Sequence, residues 1–261
     1  MRRIVAFVLD VRLLLRIAGV WLAVTVATGA ITGALMARPS QTAPSVIFVS
    51  MILSGLFRAV AATACAVNVH RFILLNEPPA SLRVSRVEWR YLLRVIWICL
   101  PFALAGMALA MMVGFGLSSG KLQQFGLSAR SVIIGLEVMC GLGAIFFFVE
   151  FSLSLPAAAI GHGEFKASHG LDASDGNSLR LLVLALAGLA GPWLVGQACI
   201  AAIVFAIHDL PTLVVSSTGF ALMDALSLFQ AIVWAALLSF GYAGLVQRNP
   251  AFLVADPALA G

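Results

Sequence analysis

Charge is what this sequence has least of. Asp, Glu, Lys and Arg make up 10% of its 261 residues, 62% are hydrophobic, and the mean hydropathy is +1.06. A soluble domain carries about 25% charged residues, and one core cannot hide this much apolar surface from water. A soluble globular domain is therefore excluded, and the expected solvent is lipid. The other scarcities narrow the chemistry. The four cysteines (Cys65, Cys99, Cys140 and Cys199) form no CxxC or zinc spacing, and each falls inside an apolar run, where a cysteine acts as a small hydrophobe. Of the four histidines, His70 and His208 sit at span ends and His162 and His169 in a loop, so no pair is placed to hold an intramembrane haem. No Walker A, GxSxG, HExxH or dinucleotide fingerprint occurs. Neither an enzyme nor a bound cofactor or metal is expected. The net charge of +5 is assigned to basic loops beside anionic lipid rather than to nucleic acid.

What is present is a series of apolar runs. Six spans can be drawn, at about 17–37, 45–69, 93–116, 131–157, 180–206 and 218–245. Each reaches the ~20 residues that a helix needs to cross ~30 Å of hydrocarbon. None shows the two-residue alternation of a membrane barrel. The first run is longer than the ~7–15 residues of a signal peptide's apolar region and is read as a span. The expected fold is all-α: a single polytopic membrane domain over 1–261, built as a six-transmembrane-helix bundle. Arg2, Arg3, Arg12, Arg16, Arg71, Arg83, Arg86, Arg90, Arg94, Lys166, Arg180 and Arg248 fall on one side of these spans, and only Arg38, Lys121 and Arg130 on the other. This bias places both termini and the two long loops in the cytoplasm.

Two segments are read as interfacial. In "SLRVSRVEWRYLLR" the arginines Arg83, Arg86, Arg90 and Arg94 are spaced i, i+3, i+7, i+11, which makes one stripe on a helix. The segment 81–92 either lies at the interface or leads straight into the third span, with its arginines as contacts for lipid head groups or a partner. Residues 1–16 form an in-plane helix or extend the first span. The loop "GHGEFKASHGLDASDGNS" is read as solvated. His162, Glu164 and His169 match no metal signature, and Asn177 or Ser178 is placed to cap the fifth span.

Small residues mark helix contacts, with Gly29 and Gly33 as GxxxG in the first span and Ala187 with Gly191 in the fifth. Pro101 and Pro192 lie inside spans and are expected to kink them. Four ionisable residues stand within spans: Arg58, Glu137, Glu150 and Asp224. Such groups face the bundle interior and pair. Arg58 shares its helix face with Ser54, Gly55, Ala61, Ala62 and Cys65, which lets a second helix come close. By depth at 1.5 Å per residue, Arg58 lies roughly 20 Å down its span and Glu150 roughly 28 Å down its own, with Glu137 and Asp224 only about 9 Å down theirs. Arg58 is expected to pair with Glu137 or Glu150, while Asp224 and Glu137 are alternatively groups of an outward-facing vestibule.

Two stretches, "VNVHRFILLNEPP" (67–79) and "FSLSLPAAAIGHGEFKASHGLDASDGNSLRLL" (151–182), resemble six-span bacterial inner-membrane proteins. That group is similar to the membrane domain of some glycerophosphodiester phosphodiesterases and to the YciC-like family. The resemblance implies a helical domain of the bacterial inner membrane without its own hydrolase. The expected function is non-catalytic: organising or assisting membrane lipid or a larger membrane complex. Its partners would be anionic lipids of the inner leaflet, a larger assembly or a second copy of the chain. The alternative is a small transporter or channel that uses Arg58 with Glu137, Glu150 and Asp224.

Overall fold

The computed structural model describes residues 10–38, 42–79, 85–118, 148–162 and 165–246. Every regular element among these residues is helical. In chain order they are α1 (Val11–Met36), α2 (Pro44–Leu75), α3 (Arg86–Ser118), α4 (Ser154–Ile160), α5 (Ala167–Ser174), α6 (Ser178–Ala206) and α7 (Thr212–Leu245). The chain is already helical from Phe148, with a turn at Leu153 before α4. Four helices are long and apolar enough to cross a membrane: α1, α2, α3 as far as Ala108, and α7. The expected fourth span, 131–157, lies for the most part outside the described residues, and the expected fifth coincides with α6.

The helices begin earlier than the apolar runs that announce them. The Asp10 carboxylate accepts from the Leu13 amide at 3.1 Å and starts α1 there, so Arg12 and Arg16 belong to an extension of the first span. Pro44 opens α2 at its first position, and Pro211 stands at the cap of α7. Ser85 donates from both its amide and its hydroxyl to the Glu88 carboxylate, so α3 starts at Arg86 and runs directly into the membrane segment. Arg83 lies outside the described residues. α3 continues as helix through Pro101.

α7 is the hub. It packs against α1, α2, α4 and α6, while α1 also packs on α2, and α3 reaches the bundle through α2 and α4. The contact of α1 with α7 is the tightest. A Cβ on Gly33 would lie 2.5 Å from the Ser216 carbonyl oxygen, and one on Gly29 would lie 2.8 Å from Asp224 Oδ2 and 3.0 Å from the Phe220 carbonyl oxygen. The GxxxG pair thus lets two backbones touch, which is how helices attract each other where lipid removes the hydrophobic drive. Outward faces are as apolar as the interior. Phe48, Trp97 and Phe205 are 65%, 71% and 74% exposed, a pattern that suits lipid and not water.

Outside 163–164, the loop read as solvated is structured. Gly161, at φ 87°, ends α4, and Phe165 and Ala173 turn inward to be buried against Ala157, Tyr242 and Val246. α5 forms because these apolar groups are spaced to cover the base of α7. Asn177 occupies the cap position of α6 without a side-chain cap bond, and the Ser178 hydroxyl donates to the Ser174 carbonyl.

Gly33→Ala is expected to lower the unfolding free energy in mild detergent by about 1–3 kcal/mol, the usual cost of overpacking. Gly19, which has open space around its Cβ position, is the control. Gly19→Ala should leave the thermal midpoint unchanged or raise it.

Candidate functional site

Three polar constellations stand in the described bundle. The first is an ion pair in the interior of the helices. Arg58 Nη1 donates to Asp224 Oδ1 at 2.8 Å, and the Ser54 hydroxyl donates to Oδ2 at 3.3 Å. The carboxylate side chain is 5% exposed and the guanidinium side chain 43%. The partner of Arg58 is therefore Asp224, which corrects the expectation of Glu137 or Glu150. Glu137 lies outside the described residues. Glu150 is buried near the other end of the bundle, where a Cβ on Gly170 would collide with its carbonyl oxygen. The reason for the error is a helix start. With α7 beginning at Thr212 rather than 218, Asp224 lies about 18 Å along its helix, close to the roughly 21 Å of Arg58 along α2. The signal was Pro211, a helix-opening residue that falls between the runs 180–206 and 218–245.

The second constellation ties three helices and was missed from sequence. His70 Nδ1 lies 2.7 Å from Ser239 Oγ, and Nε2 lies 3.1 Å from the Tyr91 hydroxyl. Ser239 spends its proton on the Ala235 carbonyl at 2.8 Å. One assignment uses every group once: Tyr91 O–H donates to Nε2, Nδ1–H donates to Ser239 Oγ, and Ser239 donates onward. His70 and Ser239 are fully buried and Tyr91 is 3% exposed, so the chain of bonds clamps α2, α3 and α7 and has no contact with a ligand space. Beside it Arg71 grips Glu77 with two bonds of 2.7 and 2.8 Å and donates to the Ala159 carbonyl at 3.2 Å. His162 Nδ1 lies 2.9 Å from the Tyr242 hydroxyl, and the Lys166 amide donates to His169 Nδ1 at 3.2 Å. Glu164 lies outside the described residues, and among those described no three ligating groups gather. Cys65, Cys99 and Cys199 are free thiols, while Cys140 lies outside the described residues.

The third constellation is a groove of about 830 Å³ between α3 and the 148–161 segment. Arg90, Leu93, Arg94, Trp97, Pro101 and Phe102 line it from α3, and Phe151 and Ala158 from the facing segment. The arginine stripe divides here. Arg94 Nη1 donates to the Ser154 carbonyl at 3.2 Å and the Phe165 carbonyl at 3.0 Å, so it holds the 151–165 segment in place. Arg90 is exposed and makes no hydrogen bond or ion pair with the described residues. Phe148 stacks on Trp234 at 5.8 Å and meets Phe102 edge-on at 6.3 Å, which fixes the deep end of the groove to α7. Compared with protein-family models, with curated proteins and with solved structures, the chain matches none.

Arg58→Gln strands a buried carboxylate and is expected to cost about 2–3 kcal/mol, below the ~3–5 of a fully buried pair because the guanidinium is partly exposed. Arg58→Gln with Asp224→Asn should recover most of that loss in thermal unfolding, whereas Arg58→Gln with Glu150→Gln should recover none. Tyr91→Phe removes the donor to His70 and should cost about 1 kcal/mol. A double-mutant cycle with Ser239→Ala would show the coupling through the imidazole as a non-additive term.

Proposed function

We propose that this chain is a non-catalytic six-span protein of the bacterial inner membrane, with cytoplasmic termini, that binds and organises membrane lipid. The observation that carries the reading is the groove beside α3: apolar along most of its length, basic at one end and open at its side. Its volume lies within the ~300–1,000 Å³ of small-molecule sites. The two sequence stretches that resemble YciC-like proteins meet in space at this end, through Arg71 on the Ala159 carbonyl, and Arg94 ties α3 to the second of them. Kinship with that group is part of the proposal. A larger membrane complex or a second copy of the chain would meet the same basic end through Arg86 and Arg90.

The test is lipid retention. Chain purified in mild detergent should keep about one phospholipid per molecule through exchange into lipid-free detergent, measured by native mass spectrometry. Leu93→Trp, which fills the groove from an exposed position, should release it while leaving the thermal midpoint in place. Equal retention by both proteins would defeat the reading.

A second reading rests on Arg58, whose remaining guanidinium donors have no partner among the described residues at a depth where polar groups serve transport paths. Under it, proteoliposomes would show an ion or proton flux that vanishes in the folded Arg58→Gln, Asp224→Asn variant.

A further inference from the structure

We infer that the occupant of the groove is an anionic phospholipid of the surrounding bilayer, its phosphate on Arg90 and an acyl chain along Trp97, Pro101 and Phe151. This rests on the lipid-binding reading and adds the charge selectivity of the same site.

The argument begins with the spacing. Arg90, Leu93, Arg94, Trp97 and Pro101 stand at i, i+3, i+4, i+7 and i+11, one face of α3 about 16 Å long. The basic groups are at one end only. Everything beyond Arg94 on this face is apolar or aromatic, so the groove has the polarity of an amphiphile laid lengthwise. The two arginines differ in what they have left to give. Arg94 spends one guanidinium nitrogen on two carbonyl oxygens, which are neutral acceptors and leave its charge uncompensated. Arg90 makes no hydrogen bond or ion pair with the described residues, and the exposed Arg86 stands one turn before it. Among the described residues that line the groove none is acidic. The nearest carboxylate in sequence, Glu88, is buried and holds Ser85 on a different side of the helix. Among the described residues the end of the groove is thus a positive field without a counter-charge, and it asks for an anion.

The apolar part cannot choose. Lipid tails are as apolar as the side chains they would replace, so an acyl chain gains little by moving from bilayer to groove. Discrimination must come from the head. A guanidinium takes a phosphate with two parallel charge-assisted bonds. In a zwitterionic lipid the phosphate carries its own cation, which would sit beside Arg90 and Arg94 and be repelled. A lipid of net negative charge escapes that penalty. Arg94, held by backbone carbonyls, adds charge without moving, so Arg90 is the residue on which selectivity turns.

The experiment offers the delipidated full chain equal amounts of dioleoyl phosphatidylglycerol and dioleoyl phosphatidylcholine in detergent and reads the bound species by native mass spectrometry. The wild type should retain the glycerol lipid over the choline lipid by about tenfold, the ratio expected when the choline cation alone is repelled by the arginines. Arg90→Gln should bind either lipid at near parity, and Arg12→Gln, an exposed arginine on α1, should keep the wild-type ratio. Wild-type binding of both lipids without preference, or a preference that survives Arg90→Gln, would overturn the inference and leave lipid binding standing. Retention of neither lipid would overturn both, as would a co-purifying protein that crosslinks to Trp97.

Discussion

The close approach of α1 to α7 at Gly29 and Gly33 is the constraint from which the rest of the bundle follows. Two glycines bring the α1 backbone within contact of Ser216, Ser217 and Phe220. That approach leaves no space on α1 for a side chain beside Asp224, and among the described residues the carboxylate is met by α2. Ser54 and Arg58 are the groups α2 presents there. In water such a pair would be worth little. Inside three apolar helices its two members cannot separate without stranding a charge, so the pair fixes the rotation of α2 against α7 and the depth at which they match. Packing without side chains and pairing without water are in this sense one arrangement.

At the other end of the bundle the constraint is different. Here the chain must turn, and turning exposes carbonyls that helices would otherwise satisfy. The break at Leu153 and the end of α4 are answered by guanidiniums: Arg71 on the Ala159 carbonyl, Arg94 on those of Ser154 and Phe165. His70, Tyr91 and Ser239 then lock the three helices that carry these arginines and their neighbours. The groove exists because this end is rigid. Its wall from 148 to 161 is held by Arg94 on one side and by the Phe148–Trp234 stack on the other, so it does not collapse onto α3.

Much of this was legible. The paucity of charge forces helices and a lipid solvent, and the small-residue spacing in the first span marks a real contact, with Gly29 and Gly33 both against α7. Helix starts were legible in part: the extensions of the first and third spans were among the expectations, but the start of α7 was not, because hydropathy reports where lipid begins and not where hydrogen bonding begins. Asp10, Pro44, Ser85 and Pro211 each open a helix ahead of its apolar run. The six residues gained at Thr212 moved Asp224 from the vestibule to the level of Arg58. The identity of the partner was therefore lost in an error of less than two turns. The histidine clamp was illegible for another reason. His70, Tyr91 and Ser239 lie on three helices with no common period, and only the packing brings them together. α5 was hidden by composition, since "ASHGLDAS" is polar enough for a loop and becomes a helix because Phe165 and Ala173 cover the foot of α7.

The arginine stripe shows how one periodic signal can hold two kinds of work. Read along the helix, Arg86, Arg90 and Arg94 are equivalent cations. Placed against the bundle, they are graded by how far each is drawn inward. Arg94 is half-buried and committed to backbone oxygens, Arg90 stands at the mouth of an apolar groove, and Arg86 faces outward. The gradient follows from where the backbone acceptors lie, since the Ser154 and Phe165 carbonyls are within reach of Arg94. A cation that supports the wall cannot also be surrendered to a ligand without loosening the wall. Arg90, one turn earlier on the same face, lines the groove without being committed to a described partner, which is why the proposed head group is assigned to it.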